Sequence, residues 1–456
     1  MNKAILFIMK WNCSVNIILL LLLLLISQVL AACSPGHLGS NVIAFIRDGH
    51  LWTIDPDGAN AFAVVTSTTP VVGYNWSPTH LLLAFRSLDE SFAKTTAARQ
   101  LSPNTLTGQI GDVPSTMNTV GVDGGTPITL AFSDPGVRYS NAIWNATGNR
   151  LLYRQTAKIE SSTPEDAHWW ISQNDQPGGI AAKAFPTSYT IPSFSYKNDL
   201  IAGIASQGIF TTTVAGTNKH SITSGSLPGH PLPAFLQRIL WQPAHGDSNL
   251  LYAIAAPAQK DGRSPLAVQL ILSTISGQTT TLTTCACTQF AWSPDGKHVL
   301  FSTGSTYTIL TLSDKSTFAI QGEENSVPYW SPDSRFLLLD GQHALTLINV
   351  VKKEQNVLLS DRQSATSAKT SSSLPTPLLL QPIANSSWAA DSRHFLFLTH
   401  DRLLWQKRQL STGKGLYTVT INDDGQPQGA PVLAAAGNMT QAGWTYQDAN
   451  TSFLYG

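Results

Sequence analysis

The sequence predicts an all-β protein: an eight-bladed β-propeller of four-stranded sheets, with seven blades as the alternative, after an N-terminal signal helix. Three observations predict it. An aromatic residue, a polar turn and an apolar strand recur together at spacings of roughly 40–65 residues between Tyr74 and Trp444. No window after residue 41 sustains a 3.6-residue apolar period, so helices are scarce. The first and last β-rich segments each read as part of one unit, which lets the ring close on itself.

The leader comes first. Lys3 and Lys10 precede an almost pure leucine run from Ile17 to Ile26, followed by Ser27, Gln28 and Leu30-Ala31-Ala32-Cys33. The apolar core is shorter than the ~20 residues of a spanning helix, and small residues follow it as at a cleavage site. An uncleaved anchor helix from Ile5 through Ala32 is the competing reading. Leu30-Ala31-Ala32-Cys33 resembles the bacterial lipobox. That resemblance implies that residues 1–32 are removed, that Cys33 is lipidated, and that 33–40 tether the domain. The expected location is then the extracytoplasmic face of the cell membrane, with the lipid as the membrane contact. Two or more acyl chains would make that attachment stable.

Residues 41–456 carry the repeat. Its clearest copies run from Phe290 through Trp292-Ser293-Pro294-Asp295-Gly296 to Phe301, and from Tyr329 through Trp330-Ser331-Pro332-Asp333-Ser334 to Leu339. Tyr74–Phe85, Ile143–Tyr153, Trp241–Tyr252 and Ser387–Phe397 are further copies, Phe194–Ala202 lacks the tryptophan, and Trp444 opens the last. Ser-Pro-Asp-Gly suits a type I turn, with proline presetting φ at its second position and glycine at its fourth. The turn joins an inner strand ending at the tryptophan to an almost wholly apolar second strand, as expected where both faces are covered. The tryptophan offers a broad surface for packing between sheets. A third strand, as in His50–Asp55 and Tyr307–Leu312, and a fourth, as in Thr317–Ile320, complete a propeller blade. Val42–Val65 supplies outer strands without an inner one, and the Trp444 segment an inner strand without outer ones. Their pairing would leave no bare edge.

The repeat resembles the TolB-like, WD-repeat-related β-propeller. The resemblance covers about nine-tenths of the mature chain and implies an interaction scaffold. A further likeness to LpqB-type lipoproteins implies a role in envelope signalling or assembly, although the domain that precedes the propeller there is not seen in this sequence.

Composition narrows the partners. Charged residues are 12% of the chain, against roughly 25% in an average soluble protein. Loss of Lys3 and Lys10 from 28 basic residues, with 28 acidic ones, leaves a net charge of −2. No basic field exists for nucleic acid or anionic lipid.

The two residues before each inner aromatic carry no carboxylate and no histidine, and Arg238 is the only charge nearby. Asp295, Asp333 and Asp391 recur because the turn needs them. His80, His298 and His394 read as solvent-facing strand starts. No nucleophile elbow, zinc-binding helix or Walker loop is present. The expectation is therefore no catalytic, metal-binding or cofactor-binding residue. Cys285-Ala286-Cys287 leaves three readings open: structural or unpaired thiols, a redox-labile bridge, or part of a metal site. Two inserts, Leu101–Gly125 and Arg362–Pro377, are expected to project as loops. The expected function is a membrane-anchored binding scaffold for an unidentified protein or small-ligand partner. An exported enzyme acting on polysaccharide or peptide through loop-borne residues is the alternative.

Overall fold

The structure, a computed structural model, describes residues 42–445 with breaks, the longest at 99–112, 157–166, 174–182, 224–231, 257–266 and 361–379. The leader, Cys33, the tether, His80 and the 362–377 insert lie outside the described residues.

The described elements are strands, with a short helix at Glu90–Ala93. They pair antiparallel into sheets that can be named by the aromatic residue closing each inner strand. The Trp292 sheet is the plainest: Gln289–Trp292, His298–Thr303, Thr306–Thr311 and Thr317–Gln321 lie side by side in sequence order. The Trp241 and Phe194 sheets repeat that order. Two further four-stranded runs, those of Trp76 and Trp144, merge because Arg138–Tyr139 pairs with both Val113–Gly121 and Arg150–Thr156. The Trp330 sheet is extended on its outer edge by the hairpin Leu404–Trp405 and Arg408–Gln409, through the pair Leu359 and Trp405. In the Trp444 sheet, Met439–Trp444 pairs with Ile43–Arg47, setting Ile43 opposite Trp444 and Phe45 opposite Ala442.

Each sheet packs face to face on the next. Leu83 and Trp76 meet Ala44 and Leu51, Trp144 and Leu151 meet Ala84 and Met117, and Phe194 meets Leu152 and Trp169. The series continues through Trp241 on Ile209, Trp292 on Leu251, Trp330 on Leu300, and Trp388 on Phe336 and Leu338. Finally, Leu398 and Leu416 share a cluster with Ile43 and Trp444. Sheets covered on both faces explain why Phe336–Leu339 and Phe395–Leu398 are apolar at every position and at most 2% exposed.

The tryptophans do more than fill space. The indole N–H of Trp76, Trp144, Trp241, Trp292 and Trp388 donates to the carbonyl of Gly443, Asn75, Ser193, Leu240 and Tyr329, respectively, at 2.9–3.4 Å. Every acceptor is the residue just before the closing aromatic of the preceding sheet. Phe194 has no such donor, and the indole nitrogens of Trp330 and Trp444 are buried without a partner.

The turns follow the sequence reading. Gly296 and Ser334 donate to the carbonyls of Ser293 and Ser331 at 2.9 Å, closing four-residue turns. The serine hydroxyls of 293 and 331 accept from the amides of His298 and Phe336 at 2.9 Å, which fixes the start of the second strand. The fourth turn position is left-handed, with φ of 66° at Gly296, 60° at Ser334 and 59° at Ser392. Serine is tolerated there because its hydroxyl reaches the neighbouring turn: the amides of Asp295 and Asp333 donate to Ser334 Oγ and Ser392 Oγ, both at 3.0 Å. Ser334→Ala keeps the strained φ and loses the hydrogen bond, so it should cost about 1 kcal/mol in denaturant unfolding. Ser334→Gly relieves the φ strain and should cost less.

Two expectations change. The second half of the 101–125 insert is not a projecting loop. Val113–Gly121 is a nine-residue third strand paired with Leu82–Leu88, and Met117 is fully buried. Its polar residues suit a sheet because Thr129 Oγ1 bonds Asn118 and Asn118 in turn bonds Thr116. The histidines are not simply solvent-facing. His298 is half-buried and stacks on Trp330 at 6.3 Å, and His394 lies 6.4 Å from Trp444 while pairing with Asp391 at 2.6 Å. Burial lowers the His298 pKa, against an opposing pull from Asp295.

Of the three cysteine readings, the structure holds the bridge. Cys285 ends its strand, and the chain leaves the extended form at Ala286, bringing the Cα atoms of Cys285 and Cys287 to 5.1 Å in a disulfide. Cys287 also packs with Leu236 and Phe290. A bridge enclosing so few residues removes little chain entropy. Reduction should lower stability by no more than about 1.5 kcal/mol, measured as thermal unfolding with and without a thiol reductant.

Candidate functional site

Polar and charged side chains gather at two places: the ends of the seams between sheets, and the turn side of the Trp330 and Trp388 sheets.

At two seam ends, the residue three positions before the closing aromatic, Gln289 or Arg238, carries a polar group that reaches the next sheet. Gln289 Nε2 donates to Ser326 O at 2.9 Å and to Tyr307 Oη at 3.3 Å. Tyr307 Oη in turn donates to the carbonyls of Glu323 and Ser326, both at 2.9 Å. The Glu323 carboxylate accepts from the amide of His343 at 2.9 Å. Arg238 Nη2 donates to Phe290 O, and its guanidinium sits 4.8 Å from the Phe290 ring centre. Desolvation there lowers the Arg238 pKa to about 10.

Two charged residues sit at matching register positions on the second strand. Arg86 lies opposite Gly73, and Asp340 opposite Val327. Gly73 and Val327 both stand three residues before a closing tryptophan. Arg86 and Asp340 are each 1% exposed. Arg86 Nε donates to Asn141 Oδ1 at 2.8 Å, and Nη1 donates to Tyr139 O. Neither carboxylate oxygen of Asp340 has a hydrogen-bond partner. Burial first, and then the charge of Glu323, hold its carboxyl well above the usual carboxylate range.

The turn side is an ion network. Arg393 bridges Asp333 at 3.5 Å and Asp423 at 2.5 Å, Lys352 pairs with Asp424 at 2.7 Å, and Arg335 donates to Asp423 O at 2.7 Å. These contacts fix the 422–426 turn of the Trp388 sheet against the Trp330 sheet. Beside them opens a cleft of about 340 Å³ lined by Asn349, Glu354, Gln355, Asn356, Asp424 and Gln426, among others. Apart from Leu347 and Gly425, its lining residues carry carboxamides and carboxylates, suited to hydrogen-bonding a polar ligand.

The turn aspartates singled out in the sequence can now be placed. Asp295 and Asp391 fold back onto their own turns: Asp295 accepts from Ser293 Oγ at 2.6 Å, and Asp391 from the Arg393 amide at 2.8 Å. Asp333 does the same with the amide of Arg335 at 3.1 Å while also pairing with Arg393. Among the described residues, no group of three or more His, Cys, Asp or Glu side chains is placed to hold a metal ion. Among them, no helix is long and apolar enough to cross a membrane. Inspection of the two residues before each aromatic missed Arg86 and Asp340. The signal was a charge directly after the apolar run of a second strand, in Leu83-Ala84-Phe85-Arg86 and Leu337-Leu338-Leu339-Asp340.

No family model and no curated protein matches the chain. Among solved structures it is similar to a eukaryotic initiation factor, with 10% identity over 90% of this chain and 100% of the other, at a TM-score of 0.49. It is also similar to an oligogalacturonate lyase in complex with manganese, with 11% identity over 66% of this chain and 87% of that one, at a TM-score of 0.43. TolB from Acinetobacter baumannii is a third, with 13% identity over 70% of this chain and 64% of the other, at a TM-score of 0.34.

Proposed function

We propose that the chain is a closed eight-bladed β-propeller, held on the extracytoplasmic face of a membrane by a lipidated Cys33, which serves as a non-enzymatic binding platform for a protein or small-ligand partner. The observation that carries the propeller reading is the order of packing. Each named sheet lies on its neighbour in sequence, and the Trp388 sheet lies on the Trp444 sheet, where the amide of Trp444 donates to Ser386 O at 2.9 Å. That makes eight four-stranded units when the Trp76 and Trp144 runs are taken separately.

The platform reading draws on where the charges lie. In a chain with only 12% charged residues, Asp333, Arg335, Lys352, Arg393, Asp423 and Asp424 cluster on the turn side beside the polar cleft. A polar partner would find its complementary groups there, and the TolB-like repeat points to the same use. The anchor draws on the sequence from Lys3 to Cys33 alone.

Two measurements test the proposal. Cells fed an alkyne-bearing fatty acid should label the native chain and not Cys33→Ser; a variant that keeps the label removes Cys33 as the lipid site. Crosslinking on intact cells should then trap a specific partner, and Arg393→Ala with Asp424→Ala should weaken that product. Turnover of a polysaccharide or peptide by the purified chain would overturn the non-enzymatic reading.

A further inference from the structure

Arg86 and Asp340 occupy the same place in two different sheets, and the protein treats them in opposite ways. Side chains alternate along a strand, so Asp340 shares a face with Phe336 and Leu338. That face packs against the Trp388 sheet, in the cluster that holds Trp388, Phe395 and Leu398. Arg86 is surrounded by acceptors from the sheet it faces: the Asn141 carboxamide and the Tyr139 carbonyl. The fold can therefore carry a charge at this position when it supplies partners. For Asp340 it supplies none, although the side chain is 99% removed from solvent and both oxygens are unpartnered.

The ionisable groups around Asp340 make this worse. The crossover entering the inner strand brings Glu323, whose Oε2 would stand 2.5 Å from a Cβ placed on Gly341, the residue next to Asp340. Glu324 follows Glu323 in that crossover, and His343 lies in the turn beyond Gly341, with its amide bound to Glu323. The inner strand Val327–Trp330 carries Tyr329 alone, and the third strand Ala344–Asn349 carries no ionisable side chain. On the Trp388 sheet, Phe395–Thr399 carries none, and neither does the sequence Leu380–Asn385. Residues 400–402 (His, Asp, Arg) lie outside the described residues. The charge exerting a resolved influence on Asp340 is therefore the like charge of Glu323.

We propose that the seam between the Trp330 and Trp388 sheets is locked by acid: it is tightest while Asp340 holds a proton and loosens when that proton leaves. A neutral carboxyl is a small polar group that an apolar seam can hold. A carboxylate there would face no donor and a second carboxylate. Because the folded protein holds this proton more strongly than the unfolded chain, the stabilisation is complete near and below the ordinary carboxylate pKa. It is lost as pH rises toward the higher value of the folded state.

The test is a pair of substitutions read across pH in the purified chain. Asp340→Asn and Asp340→Leu abolish the titration, one keeping a polar group and the other removing it. Both should melt above the native protein at pH 8, by a margin that narrows steadily toward pH 4. Infrared difference spectra of the native chain near neutral pH should show a protonated carboxyl band that Asp340→Asn lacks. Melting curves that run parallel to the native ones at every pH would overturn the lock. So would an ionised Asp340 at neutral pH, or failure of both variants to fold.

Discussion

Trp388→Ala should lower the free energy of unfolding by about 3–5 kcal/mol. Trp388 is fully buried, stacks on Phe336 at 6.1 Å, meets Phe395 edge-on at 5.3 Å, and donates to Tyr329 O at 2.9 Å. Truncation leaves a cavity between two rigid sheets that cannot collapse onto it, and it strands a carbonyl acceptor. Trp388→Phe separates the two effects, since it keeps most of the packing and loses the N–H. It should cost only the hydrogen bond and a small void, about 1–2 kcal/mol. Denaturant midpoints with unchanged slopes would report both losses as stability alone. A Trp388→Ala chain as stable as the native one would mean that the sheets do not depend on this aromatic wedge.

Ala442→Glu should be more damaging still. Ala442 is fully buried opposite Phe45, on the strand that joins the two ends of the described chain into one sheet. The same neighbourhood carries two bonds from the Trp76 sheet: Tyr74 Oη to Ala44 O at 2.6 Å and Trp76 Nε1 to Gly443 O at 3.2 Å. An unpaired carboxylate placed there costs about 3–5 kcal/mol or more, a large share of the roughly 5–15 kcal/mol that holds a domain folded. The chain should lose its cooperative melt and become open to proteolysis at room temperature. Val351→Glu is the control: Val351 is 71% exposed, and its replacement should change stability by less than about 0.5 kcal/mol. Equal melting of the Ala442→Glu and Val351→Glu variants would show that the terminal strands do not hold the structure together.

The contrast between Ala442→Glu and the native Asp340 is instructive. A carboxyl already sits in one seam, at a strand end beside a turn, where its neutral form can be accommodated. Ala442 instead lies mid-strand within a cluster of buried apolar side chains.

Much of this architecture is written in short stretches of sequence. Trp292-Ser293-Pro294-Asp295-Gly296 states its own geometry. The serine hydroxyl, the proline φ, the aspartate carboxylate and the left-handed glycine each serve bonds within about five residues. The apolar runs Phe336–Leu339 and Phe395–Leu398 announce burial on both faces, because one exposed face would have required alternation. Val113–Gly121 was misread because its polar residues are satisfied by partners on adjoining strands, which composition does not show. His298 and His394 were misread because a ring that begins a strand in sequence can lie over a tryptophan of the next sheet in space.

The sequence by itself therefore determined the repeating unit, its turn chemistry and the depth of its core, since each rests on neighbours along the chain. Tertiary structure alone decided which carbonyl each indole meets, which buried charge is answered and which is not. Trp76 and the carbonyl it binds lie 367 positions apart, and Arg86 finds its acceptors more than 50 residues away. The fate of a polar group in a closed seam depends on what the opposite sheet places in front of it, and no local pattern contains that information.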